Sequence, residues 1–120
     1  MSKKTLVLGA SLNETRYSNI AIHRLRAKKH EVVAFGLRKG KVNDVSIYTD
    51  KKEFRNIDTI TLYLNPKRQE EFYDYIVGLK PNRVIFNPGT ENTELMEILE
   101  ENNIESEIAC TLVLLSINQY

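Results

Sequence analysis

Cysteine is nearly absent from this chain of 120 residues. Cys110 stands alone, which excludes an internal disulfide framework and a multi-cysteine metal site. Tryptophan is missing altogether. No apolar run approaches the roughly 20 residues of a membrane-spanning helix. The opening Ser2-Lys3-Lys4 leads into an apolar stretch too short for a secretory signal. An excess of one charge is lacking too: 17 basic and 16 acidic residues leave a net +1, so nothing global draws the chain to nucleic acid or an anionic membrane. These absences describe a soluble, cytoplasmic protein with neither of those partners. Glycine is scarce as well, at five residues, and that scarcity says the most. In LVLGASLNETRYSNIAIHRL, Leu6 to Leu25, an apolar run meets a helical pattern where nucleotide folds carry a glycine-rich phosphate loop, yet Gly9 is the only glycine.

What is present suits one domain over residues 1–120, with 42% hydrophobic and 28% charged residues. Thr5 to Leu8 predicts a strand buried on both faces, as parallel sheets require. Tyr17, Ile20, Ala21 and Leu25 predict one face of a helix, and the cations Arg24, Arg26, Lys28 and Lys29 complement the dipole at its end. Further strands are predicted at Glu31–Phe35, Val45–Tyr48, Thr59–Leu64 and Arg83–Phe86, with a short one at Ile104–Ile108. Gly36 to Asn43 reads as a polar loop and Lys51 to Phe54 as one helical turn. Asn65-Pro66 opens a helix striped by Phe72, Tyr75, Ile76 and Leu79, and Asn92 caps another that faces inward through Leu95, Ile98 and Leu99. Thr111 to Ile117 fits helix or strand. Strands alternating with helices imply a mostly parallel α/β sheet of five or six strands in a three-layer, doubly wound domain.

In such a sheet ligands bind beyond the carboxyl ends of the strands, where the strand order reverses. Gly9 to Arg16 leads into a helix N-terminus, a favourable place for an anion. Gly9 makes the turn, Ala10 and Ser11 are small enough for close approach, Ser11 adds a hydroxyl and Arg16 a charge. Ser11 and Glu14 form a nominal capping box; Ser18 is an equally good cap and leaves a longer loop. After the second strand, where NAD-binding folds place an acid, the chain reads Phe35-Gly36-Leu37-Arg38-Lys39. Two cations there favour a ribose bearing an extra phosphate, as in NADP or coenzyme A. Gly89, in the turn-rich loop Asn87 to Asn92, points to an unusual backbone angle or a close approach.

No catalytic set emerges, and no metal site. His23 and His30 lie in or beside a helical pattern, Cys110 reads as a buried, inert thiol, and the glutamates between 70 and 101 read as solvated helix faces.

Gly9-Ala10-Ser11, followed by Tyr17-Ser18 and a helix ending at Leu25, resembles the opening of the small single-domain CoA-binding proteins. These are similar to the N-terminal domain of the succinyl-CoA synthetase alpha subunit. His30-Glu31-Val32, Gly40 followed by Tyr48, the series from Pro88 to Glu94, and Cys110 continue the resemblance over essentially the whole chain. It implies a Rossmann-like domain that binds coenzyme A or an acyl-CoA without catalysis. By position, Gly9, Ala10 and Ser11 meet the pyrophosphate, with Arg16, Tyr17 and Ser18 beside them. Leu37, Arg38 and Lys39 lie near the adenosine and its 3′-phosphate, and Leu64, Asn65, Pro88 and Gly89 line the groove. The chain departs from the family at Gly36-Leu37, where Asn-Pro is usual, at Leu64-Asn65, where an arginine is common, and at Ile108-Ala109, where Asp-Arg often precedes the cysteine. An NADP-binding reductase and a protein-interaction module with a vestigial pocket are the alternatives, and a protein partner or a homodimer is left open.

Overall fold

Leu6 and Leu8 turn to one face of a sheet, and Val7 to the other, which is why an unbroken apolar run builds this strand. A computed structural model describes residues 2–120. Seven strands form one sheet: β1 (Thr5–Ala10), β2 (Val32–Gly36), β3 (Gly40–Val42), β4 (Val45–Tyr48), β5 (Thr59–Leu62), β6 (Arg83–Phe86) and β7 (Glu105–Ile108). Their spatial order is β3-β4-β2-β1-β5-β6-β7, and all neighbours are parallel except β3 and β4. From β1 the chain steps one way to β2 and later the other way to β5, so the strand order reverses at β1. The fold is the doubly wound α/β arrangement expected, with more strands than expected.

Helices α1 (Tyr17–Ala27) and α5 (Thr111–Ser116) cover the face that receives Val7, Ala34 and Ile47. On the opposite face, α2 (Pro66–Gln69), a 3₁₀ turn at Glu70–Phe72, α3 (Tyr73–Leu79) and α4 (Thr93–Glu101) bury Phe72, Ile76, Leu95 and Leu99 against Leu6, Leu8, Ile60 and Leu62. No helix among the described residues is long and apolar enough to cross a membrane.

Several expectations are corrected. The stretch read as a loop holds β3, which pairs antiparallel with β4 across Asn43-Asp44, Asn43 lying in the left-handed region at φ 57°. A two-residue turn opened by Asn at positive φ suits a tight hairpin. Lys51–Phe54 is not helical but an irregular strap: the Tyr75 hydroxyl donates to the Lys52 carbonyl, and Phe54 packs on Tyr48 and the core. β5 stops at Leu62 rather than Leu64: one further bond, Tyr63 N–H to Leu8 O at 2.9 Å, brings it level with Gly9, where the register of β1 shifts. The helix from Pro66 is interrupted by the 3₁₀ turn, although Asn65 caps it and Pro66 opens it as expected. Thr111–Ser116 is helical.

Helix α1 buries Ala21 and Leu25 as predicted, together with Ser18, Asn19 and Ile22, but leaves Tyr17, placed in the predicted stripe, 71% exposed. Ser18 is therefore a buried first-turn residue and not the cap, and Ser11 lies too far upstream to cap. Its hydroxyl oxygen accepts from the Asn13 N–H instead.

Candidate functional site

An open cleft of about 1100 Å³ lies beyond the carboxyl end of β1, at the top of the usual range of roughly 300–1000 Å³ for small-molecule clefts. Gly9 starts its first wall. At φ 101° it adopts a conformation that other residues rarely take, and a Cβ there would lie 2.8 Å from the Tyr63 carbonyl oxygen. Gly9 is thus required by its backbone angle and by the end of β5, and ligand approach is left to Ala10 and Ser11. Gly36 is held just as tightly from the other side, since a Cβ would lie 2.3 Å from the Ala10 carbonyl oxygen. The three strand ends meet almost backbone to backbone.

The loop from Ser11 to Arg16 is braced from within. Asn13 Oδ1 accepts from both the N–H and the hydroxyl of Thr15, and Asn19 Nδ2 donates 3.0 Å to the Ser11 carbonyl. Arg16 occupies the N-cap position of α1 in extended conformation, and no side chain caps the helix. The helices entered at Asn65 and Asn92 are both capped by those asparagine side chains. At α1 the Asn19 N–H donates to the Arg16 carbonyl, while the Tyr17 and Ser18 N–H groups and the positive end of the dipole face the cleft.

The far wall is built on two buried amides. Gln69, fully buried, donates 2.8 Å to the carbonyls of Leu64 and Thr90 and accepts from Asn92 Nδ2 at 2.9 Å. Asn87 donates to Thr61 Oγ1 and the Leu62 carbonyl and accepts the Thr111 N–H at 2.9 Å. Together they lock the loops after β5 and β6 to α4 and α5. Gly89, at φ 90°, donates its N–H to Glu91 Oε1.

Of the residues singled out in the sequence, Gly9, Ala10, Ser11, Arg16, Tyr17 and Ser18 line the near wall. Leu37 and Arg38 line the side beyond β2, and Leu64, Asn65, Pro88 and Gly89 the far wall. Lys39 does not line the cleft; it is exposed on the approach to β3. Cys110, expected to be buried, is half-exposed at the N-cap of α5 and outside the cleft lining. His30 is buried below the opposite end of the sheet.

Several lining groups were not anticipated, among them Arg68, Lys51 and Tyr63. Burial pushes the Tyr63 phenol up to about 12, so it is uncharged at neutral pH. The cleft therefore gathers four cations, Arg16, Arg38, Lys51 and Arg68, and one carboxylate, Glu71. None of the four forms an ion pair among the described residues, whose three ion pairs are Lys4–Glu31, Arg26–Asp44 and Arg83–Glu107. Three of the six large exposed hydrophobic residues among the described residues, Leu12, Tyr17 and Leu37, also line the cleft. Clustered unpaired cations beside exposed apolar groups suit an amphipathic polyanion.

Comparison with known proteins agrees with this chemistry. A family model described as a CoA binding domain matches residues 3–116. A crystal structure of an uncharacterized protein is similar over 100% of this chain and 99% of its own, at 49% identity and a TM-score of 0.97. A cell-free expressed protein from Thermus thermophilus shares the fold at 18% identity and a TM-score of 0.85, over 99% of this chain and 91% of its own. A conserved hypothetical protein from Pyrococcus furiosus is similar at 26% identity and a TM-score of 0.81, over 92% and 97%. None of the curated proteins matches the chain.

Proposed function

The chain belongs to the CoA binding domain family, and from that premise we propose that it binds coenzyme A or an acyl-CoA in the cleft at the carboxyl ends of the strands, without catalysis. The observation that carries this reading is the set of four cations without carboxylate partners in one cleft of a protein whose net charge is only +1. Coenzyme A brings a pyrophosphate and a 3′-phosphate, a density of negative charge that a plain dinucleotide lacks. In this reading the pyrophosphate sits on Ala10, Ser11 and the uncapped end of α1, with Arg16 beside it. Leu37 and Tyr17 offer apolar surface to the purine, and the pantetheine arm runs along Asn65, Pro88 and Gly89.

Binding without turnover is supported by the character of the lining. Its acid is Glu71, and it contains neither histidine nor cysteine. Three of its four cations are guanidinium groups, which bind anions well and move protons poorly.

Calorimetric titration with CoA, 3′-dephospho-CoA and NADP tests the proposal. CoA is expected to bind tightest, and raising the salt concentration should weaken it several-fold through screening of exposed charges. Failure of CoA to bind, or tighter binding of NADP, would overturn the reading.

A further inference from the structure

Lys51 is one of the cleft groups that local sequence pattern does not reveal. It comes from the strap after β4, and β4 lies parallel beside β2, with Phe35 opposite Tyr48. Its ammonium donates 2.7 Å to the Glu71 carbonyl and sits 4.9 Å from the centroid of the Phe72 ring. Phe72 in turn packs edge-on against Phe35, near the end of β2, with centroids 5.2 Å apart. This chain of contacts holds the Lys51 charge on the β2 side of the cleft that Arg38 also lines.

A carbonyl and a ring face fix the ammonium without cancelling its charge. An ammonium has three N–H donors, and the Glu71 carbonyl takes one. In doubly wound folds the ribose next to the pyrophosphate is held at the end of the second strand, and a phosphate on that ribose is met by a cation there.

Resting on the proposed binding of coenzyme A, we infer that Lys51 reads the phosphate on the nucleotide's ribose, and so sets the preference for a 3′-phosphorylated ligand. Lys39, adjacent to Arg38 in sequence, lies outside the cleft lining and does not share this role. Lys51 acts as a specificity residue held in advance by Glu71 and Phe72.

The test is titration of the wild type and of Lys51→Met and Lys51→Arg with CoA and with 3′-dephospho-CoA, alongside melting of each protein without ligand. The wild type should prefer CoA by about tenfold or more, as a charge-assisted bond implies. Lys51→Met should lose most of that preference, weakening CoA far more than dephospho-CoA, and Lys51→Arg should retain it. An unchanged preference in Lys51→Met, or equal weakening of both ligands, overturns the inference and leaves CoA binding standing. A wild type that binds neither ligand overturns both. The ligand-free melt separates any loss of the strap's anchor from loss of phosphate reading, since anchoring alone leaves the ratio of the two affinities unmoved.

Discussion

The two ends of the sheet treat charge in opposite ways. At the amino end Arg26 meets Asp44 through two bonds of 2.9 Å, Arg83 meets Glu107 at 2.9 Å, and Lys4 approaches Glu31 at 3.5 Å. Arg83 also stacks on Tyr120, whose hydroxyl bonds to Thr5, and Lys3 donates to the Tyr120 carbonyl. At the carboxyl end Arg16, Arg38, Lys51 and Arg68 have no such partners. Among the helices that open at this end, α2 and α4 are capped by Asn65 and Asn92, whereas α1 opens uncapped into the cleft. Paired charges hold a protein together, whereas unpaired charges gathered in a cleft are kept available for a ligand at some cost in mutual repulsion. In the proposed reading the carboxyl end binds the ligand and the amino end closes the fold.

The sharpest way to disturb this division is to loosen the platform beneath the cations. Gln69→Leu would strand the carbonyls of Leu64 and Thr90 and the amide of Asn92 in a buried site. It should cost about 3 kcal/mol in denaturant unfolding, the expected consequence of leaving buried polar groups unpaired. A smaller loss, near that of a surface substitution, would mean that water replaces the amide and that the far wall is not rigid.

Removing charge separates the two ends directly. The double substitution Arg16→Ala, Arg68→Ala should weaken CoA binding about 100-fold, at roughly tenfold for each charge-assisted contact. Its melting temperature should stay the same or rise, because repulsion is relieved. Arg26→Ala, at the other end, should leave calorimetric affinity unchanged. Comparable losses from both variants would show that the protein's overall field, and not the cleft, attracts the ligand.

A smaller effect comes from pH. His30 is buried, and its Nδ1 accepts the Lys3 N–H at 2.9 Å, so the native ring is neutral there. Burial first, then Lys3, the N-terminal amine and Arg83, hold it below the ordinary 6.5. The unfolded chain takes up this proton near 6.5 and the native state resists it. Stability from this group is therefore full above that pH and declines as pH falls below it. Melting curves from pH 7.5 to 5 should show the decline, and His30→Gln should flatten it. An identical slope in the variant would place the titration elsewhere.

Much of this architecture was legible in the sequence, for identifiable reasons. The runs at Thr5–Leu8 and Arg83–Phe86 are short and apolar because both faces of a parallel strand are covered, so composition alone reveals them. Asn65-Pro66 and Asn92 announce their helices because capping is local chemistry. β3 escaped because three residues with one buried side chain carry little periodicity; the Asn43-Asp44 turn was the available signal. The strap at Lys51 escaped because its conformation is imposed from outside it, by the Tyr75 hydroxyl on Lys52 and by Tyr48 and the core against its own Phe54. Gln69 could have been found: it precedes Phe72 by three residues and Ile76 by seven, a polar group on an otherwise apolar stripe. Arg68 and Lys51 could not, because only the crossing of chain over sheet brings them to the same cleft as Arg16 and Arg38.

The most direct test follows the backbone amides by two-dimensional NMR while CoA is added. The expected result is a set of shifts at Ser11, Tyr17 and Ser18, on the open end of α1, and at Leu37 and Arg38, with His30, Asp44 and Glu107 unmoved. Shifts concentrated at the amino end of the sheet, or none at ligand concentrations in the millimolar range, would contradict the assignment of the cleft as the nucleotide site.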